Sequence, residues 1–270
     1  MKKRIRKKLL PIFSVVGLMA IALLCLFGFE SKESIPPDQA AHTVEAVDTT
    51  TPFADAEEMK DTEEETMEEI AAVVNRASDE VIKIYIDQGH CPTGTWNTGA
   101  VWNGIFEHDK NFEVGILLYE LLKDDPRFDV RLSRPTAGTV LGNDNNTALN
   151  ARSAEANAWG ADYFISIHCN AAPDMLARGV ESFSRADNDE GFALGLKLVE
   201  AICEATGFDN RGTFARPELS VLRKTEMPAV LVELGFLSNP AEAAMLTEHP
   251  ALFAEALHKG ILAYFGFSES

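Results

Sequence analysis

Three polar residues stand where runs of apolar residues stop: His90 after VIKIYIDQG, His168 after YFISI, and Glu233 after AVLV. Two imidazoles and a carboxylate brought to one place suit Zn²⁺, which accepts neutral histidine nitrogen and carboxylate oxygen. A catalytic zinc needs a third protein ligand and one open position for water. Glu107, Glu113 and Glu181 are the carboxylates available for that role. Glu107 is the best placed of them, because it falls just before a predicted helix on the loop leaving His90, and a helix N-terminus favours negative charge. Taken singly, a histidine after a strand is more often a capped or hydrogen-bonded loop residue than a ligand. Glu233 is harder to dismiss: burying a lone carboxylate costs on the order of a few kcal/mol, so a cation, a metal site or solvent must meet it.

The elements that would position these groups read clearly. Residues 81–87 (VIKIYID) form a predicted buried strand that ends at Gly89 and is followed by a long loop rich in Gly, Thr and Asn. Residues 109–123 have helical periodicity, with Phe112, Leu117, Leu118, Leu121 and Leu122 on the apolar side. Strands are expected at 128–132, 163–168, 180–183 and 229–233, and helices at 147–159, 192–206, 241–246 and 252–265. Strands alternating with helices predict an α/β domain, a single mostly parallel twisted sheet flanked by helices on both faces. In such sheets ligands bind beyond the carboxyl ends of the strands. His90, His168 and Glu233 therefore share one crevice if their strands are parallel neighbours.

Composition narrows the partners. A formal net charge of -18 over 270 residues argues against nucleic acid, whose binding depends on Lys and Arg neutralising phosphates. It also argues against docking on an anionic membrane surface, and is read as a solubility feature. Cys25 lies in an apolar stretch, which leaves Cys91, Cys169 and Cys203 for the folded part. Such a sparse, odd set without a CxxC pair is neither a disulfide scaffold nor a cysteine zinc site.

Residues 1–8 are strongly basic and residues 9–29 almost wholly apolar, the pattern of an exported chain. The run is close to the roughly 20 residues that span a bilayer, so residues 1–29 are read as a signal sequence or, preferably, an uncleaved membrane anchor. Residues 30–78, with Pro36-Pro37 and a dense acidic tract over 61–69, are expected to be a disordered stalk. Residues 79–270 have one pattern and are taken as a single, monomeric domain.

At the residues singled out above the sequence resembles the zinc-dependent N-acetylmuramoyl-L-alanine amidases of bacterial cell walls. IYIDQGH resembles the family's strand-ending motif at His90, NGIFEHDKNF its glutamate before a helix at Glu107, and ISIHCNA its second histidine motif at His168. PAVLVELGFLSN resembles the block that carries the catalytic glutamate, here Glu233. RLSRP, GVESF, NRG and VLR are similar to further family segments. The resemblance covers residues 81–267. It implies a zinc ion on His90, Glu107 and His168, with Glu233 as the base, and peptidoglycan as the substrate. The reaction implied is hydrolysis of the amide between N-acetylmuramic acid and the L-alanine of the stem peptide.

Arg134, Arg152, Arg178 and Arg211 are candidates for stem-peptide carboxylates, and His108 is the fallback ligand. The sequence departs from the family at Gln88, where a proline is usual, and at Cys91-Pro92, where a glycine pair is usual. Cys91 and Cys169 each follow a ligand histidine and are read as small side chains in tight space, with a redox pair as the alternative. Some regulated relatives carry an inserted helix over the zinc. Residues 171–178 are too short for one, so the site is expected to be open unless a protein activator controls it. Two other functions compete: a zinc peptidase or deacetylase acting elsewhere on the wall, and a catalytically silent wall-binding module. The intact set of four residues argues against the second.

Overall fold

Alternating apolar residues build a sheet that presents a different core on each face. The computed structural model describes residues 81–92 and 94–268; the expected anchor and acidic stalk lie outside the described residues. In chain order the elements are β1 (Ile82–Gln88), β2 (Val101–Trp102), β3 (Ile105–Phe106), α1 (Glu107–Leu122), β4 (Phe128–Leu132), α2 (Asn145–Trp159), β5 (Tyr163–Asn170), β6 (Val180–Ser184), α3 (Glu190–Thr206), β7 (Asn210–Ala215), α4 (Ser220–Lys224), β8 (Ala229–Phe236), α5 (Pro240–Glu248) and α6 (Pro250–Tyr264).

Six strands form one sheet in the order β4-β1-β5-β8-β6-β7. All neighbouring pairs are parallel except β6 with β8. The mostly parallel sheet expected from the sequence is therefore present. Ile84 and Ile86 of β1, Ile165 and Ile167 of β5, and Val230 and Val232 of β8 point to one face, where they pack with residues of α1, α3 and α6 in the larger core. Tyr85, Phe164 and Leu231, one residue out of phase, meet α2 and α4 in a smaller core on the other face. Period-two alternation on a sheet covered on both faces produces this division.

Helix ends follow local chemistry. Asp144 caps α2 by accepting from the Thr147 amide, and Thr147 reciprocates in a capping box. Gly160 ends α2 in the left-handed conformation, which favours glycine because no Cβ is present to clash. Helix α1 differs from expectation on one point: Leu121 is exposed, and Val114, Gly115, Leu118 and Leu122 form its buried side. The edge strand β7 and the β2–β3 hairpin were not expected from the sequence.

Candidate metal centre and active-site cavity

The alternation that sorts the cores also sorts the chemistry. Along β5 and β8, His168 and Glu233 lie on the same face as Phe164 and Leu231, and the two are register partners. The antiparallel pairing of β6 continues the row, placing Glu181 opposite Glu233. His168, Glu233 and Glu181 thus form one line across three strands.

His90 and Glu107 reach this line from separate segments. His90 follows β1 in a left-handed conformation with φ 68°, which is uncommon for a non-glycine residue and costs about 1 kcal/mol or more. Its backbone carbonyl accepts from the buried Arg152 guanidinium, which also donates to the Gln88 carbonyl at 2.9 Å and pairs with buried Asp87. Asn97 Oδ1 lies 2.7 Å from His90 Nδ1, a contact that fixes the ring and leaves Nε2 facing inward. Glu107 is the first residue of α1. Its Oε2 accepts from the Ala100 amide at 2.7 Å, and its own amide donates to the Ala100 carbonyl at 2.9 Å. The hairpin that delivers it turns at Asn103 and Gly104, both with positive φ.

Glu107 Oε1 lies 2.9 Å from His90 Nε2 and 2.9 Å from His168 Nδ1. The three prospective ligand atoms all fall within 4.8 Å of one another. Burial would push the Glu107 carboxyl up, but the hydrogen bonds to His168 and His90 hold it well below the usual carboxylate range. Burial, reinforced by His90, pushes His168 below its ordinary value against the pull of Glu107. The histidine is thereby kept neutral, the form that ligates metals.

Two nitrogens and one carboxylate oxygen are the donor set of a catalytic zinc site with a position left open. Two glycines keep the space clear: a Cβ on Gly89 would lie 2.4 Å from His168 Nε2, and one on Gly99 2.5 Å from Glu107 Oε2. The residues present therefore fit a zinc ion.

A cavity of about 510 Å³ opens on this group and is lined by His90, Glu107, His168, Glu181, Arg216 and Glu233 among others. Glu233 Oε2 is sealed from solvent without a hydrogen-bond partner. Burial, followed by the charges of Glu107 and Glu181, pushes the Glu233 carboxyl well above its ordinary value. A half-buried carboxylate that lines the cavity beside a metal-ligand cluster, with one oxygen held out of water, has the placement of a general base.

Comparison with known proteins agrees with the geometry. The family model described as N-acetylmuramoyl-L-alanine amidase matches residues 84–263. The chain belongs to this amidase family. It is 33% identical over 186 residues to the N-acetylmuramoyl-L-alanine amidase CwlM of Bacillus licheniformis, covering 67% of this chain and 66% of that protein. The sporulation-specific N-acetylmuramoyl-L-alanine amidase of Bacillus subtilis is 30% identical, with 67% of this chain and 65% of that protein covered. This chain therefore spans about two thirds of the length of these relatives. Among solved structures, the catalytic domain of CwlV from Bacillus (Paenibacillus) polymyxa var. colistinus is 28% identical, with a TM-score of 0.61, and covers 70% of this chain and 100% of its own. The CwlD amidase from Clostridioides difficile, solved in complex with the GerS lipoprotein, is 26% identical with a TM-score of 0.63, covering 68% and 98%.

Within this amidase domain the remaining candidates sort by contact. Glu113 pairs with Lys110 away from the cluster. Glu181 lines the cavity, but its oxygens accept from Asn170 Nδ2 at 2.6 Å and Arg211 Nε at 2.9 Å. His108 is buried, with Nδ1 3.0 Å from the Thr98 carbonyl. Of the four arginines considered for substrate carboxylates, Arg134 and Arg152 are fully buried and bind backbone or Asp87, so they brace the fold. Arg178 pairs with Asp209 and Arg211 with Glu181. Cys91 and Cys169 are buried free thiols. Cys91 rests against Arg152 while Cys169 sits in the larger core, and burial and the neighbouring Glu107 and Glu233 push the Cys169 thiol far up. No helix forms between β5 and β6. Sequence reasoning missed Asn97, Phe183 and Arg216. The Asn103-Gly104 pair between two apolar couples was a readable hairpin signal; nothing comparable marked Arg216.

Proposed function

We propose that the protein hydrolyses the amide joining N-acetylmuramic acid to the L-alanine of the peptidoglycan stem, with zinc held by His90, Glu107 and His168. The observation that carries this reading is the convergence of both histidines on a single oxygen of Glu107, next to the unpartnered Oε2 of Glu233. Zinc, when bound, supplies Lewis acidity toward the scissile carbonyl and lowers the pKa of water. The Glu233 carboxylate, which lines the cavity, accepts the proton of the attacking water and returns it to the departing L-alanine nitrogen. Its raised proton affinity suits both halves of that task, because a stronger base takes the proton from water more readily and can still yield it to the more basic amine. Asn97 orients His90, and Arg152 secures the carbonyl on which His90 turns.

We place the enzyme outside the cytoplasm, held at the outer face of the membrane by residues 9–29. Control would then fall to a second protein, since no helix of the described residues covers the cavity. The CwlD amidase of Clostridioides difficile, solved with a lipoprotein, is a precedent for that arrangement.

The test is mass spectrometry of purified peptidoglycan digested by the zinc-supplied, detergent-solubilised full chain. Free stem peptides beginning with L-alanine are expected, and should be absent when a chelator is added or when Glu233 is replaced by Ala. Cuts at any other bond would reassign the protein to a different wall hydrolase. Intact polymer would indicate a binding role or a missing activator.

A further inference from the structure

The cavity wall carries one cation. Of the Lys and Arg side chains among the described residues, Arg216 alone lines it, in a space that otherwise holds the carboxylates of Glu107, Glu181 and Glu233. Arg216 follows the last residue of β7 directly, and its amide donates to the Ser184 carbonyl at 2.8 Å. Its guanidinium carbon lies 5.1 Å from the centroid of the Phe183 ring.

Position on the sheet gives this cation a meaning. Phe183 is two residues beyond Glu181 on β6 and pairs with Leu231, two residues before Glu233 on β8. Leu231, Phe183 and Leu219 therefore make an apolar strip running from Glu233 toward Arg216, all of it on the cavity wall. Phe183 therefore stands about 7 Å along the sheet and about 5 Å across it from Glu233. Two residues of an extended peptide reach about 7 Å. A stem peptide whose L-alanine nitrogen lies at Glu233 would carry the α-carboxylate of an acidic second residue along this strip toward the Arg216 side chain, which reaches back over Phe183.

The guanidinium is available for that contact. Its only ion pair among the described residues is through Nε to Glu218, and the two side chains are 45% and 59% exposed. A pair so open to solvent is weak and exchanges readily, while stacking on Phe183 keeps the guanidinium plane oriented. Resting on the amidase reading above, we propose that Arg216 is a specificity residue that binds the carboxylate of the second stem residue, with Glu218 holding it when no substrate is present.

The experiment compares soluble muropeptides carrying a free α-carboxylate on a γ-linked D-glutamate with the same muropeptides carrying the α-carboxamide. The detergent-solubilised, zinc-supplied full chain is used as wild type, Arg216→Ala and Arg216→Lys. Binding of the two corresponding stem peptides, without the sugar, is followed by calorimetry. Wild type should favour the carboxylate by roughly 10- to 100-fold, the worth of a hydrogen bond to a charged group. Arg216→Ala should lose that preference through KM with kcat unchanged, and Arg216→Lys should keep part of it. An Arg216→Ala variant that retains the wild-type ratio, or that loses kcat at constant KM, would overturn the proposal. If wild type cleaves neither muropeptide, the amidase reading has failed, and the stem-peptide affinities still decide the role of Arg216.

Discussion

His168 and Glu233 are register partners in the parallel pairing of β5 with β8, and their side chains lie on the same face of the sheet. The imidazole proposed to bind metal and the carboxylate proposed as base are thereby held by backbone geometry rather than by a flexible loop. Separating their roles is straightforward. Glu233→Gln should bind zinc with the same stoichiometry as wild type while turnover falls roughly 10²- to 10⁴-fold, the usual loss for a missing general base. His168→Ala should lose both metal and activity. Metal analysis beside the release of L-alanine N-termini checks this, and a Glu233→Gln protein of full activity would remove Glu233 from the mechanism.

Asn97 should matter without touching the metal. It contacts His90 Nδ1 at 2.7 Å and so sets which ring nitrogen faces Glu107. Partners of this kind, once removed, typically weaken a site by roughly 10- to 100-fold. Asn97→Ala is therefore expected to raise the zinc dissociation constant by that factor with little change in thermal stability of the metal-free protein. Competition against a chromophoric chelator measures it.

Gly99 gives a steric counterpart. Its φ is +71°, and an added Cβ would lie 2.5 Å from Glu107 Oε2 and 2.6 Å from His90 Cδ2. Gly99→Ala should displace the ligand pair and lower zinc affinity at least tenfold, on the scale of lost outer-shell support. Unchanged metal affinity in a folded variant would mean that the loop can move away from the cluster.

How much of this was readable follows from what sequence patterns encode. Apolar runs ending at His90, His168 and Glu233 were legible because buried parallel strands leave continuous apolar stretches, and their ends are where polar residues can re-enter. The reversed direction of β6 was not legible, since periodicity carries no strand polarity. Strand β7 escaped because Asn210, Arg211 and Phe214 are exposed and Gly212 sits at φ 105°, so its apolar signal is weak. Arg216 looked like any surface arginine; only the fold brings it beside Phe183. Gln88 shows a departure that the structure explains. Its amide donates to Ser133 Oγ at 3.1 Å, and its Oε1 accepts from the Arg134 amide at 2.9 Å. A proline would supply neither contact. Gly115 leaves room for it, because a Cβ there would lie 2.4 Å from Gln88 Cγ.

The Arg152–Asp87 pair predicts a stability loss larger than any at the cavity. Both side chains are 1% exposed, and Asp87 also accepts from Ser166 Oγ at 2.8 Å. Against the cost of burial, Arg152 holds the Asp87 carboxyl below its usual range. Arg152→Met should strand that charge and cost about 3–5 kcal/mol, as one-sided removal of buried pairs does. Adding Asp87→Asn should recover part of the loss. Urea unfolding of the two variants and wild type gives the comparison, and a single variant as stable as wild type would show that Asp87 finds another partner.

Glu233 makes a prediction of opposite sign for the metal-free protein. Its folded carboxyl is raised well above the ordinary 4.5, by burial first and then by Glu107 and Glu181. Between the unfolded and the folded pKa the native state therefore holds a proton that the unfolded chain has released, and stability must fall as pH rises through that window. Below the unfolded value both states are protonated and the penalty vanishes. Glu233→Gln removes the ionisation while keeping the shape, so its advantage over wild type should be small near pH 4 and grow toward pH 8. Urea midpoints of both proteins, measured with a chelator across that range, read this directly. Parallel pH profiles for the two would show that Glu233 is not desolvated in the folded state, and its assignment as the buried base would lose its electrostatic support.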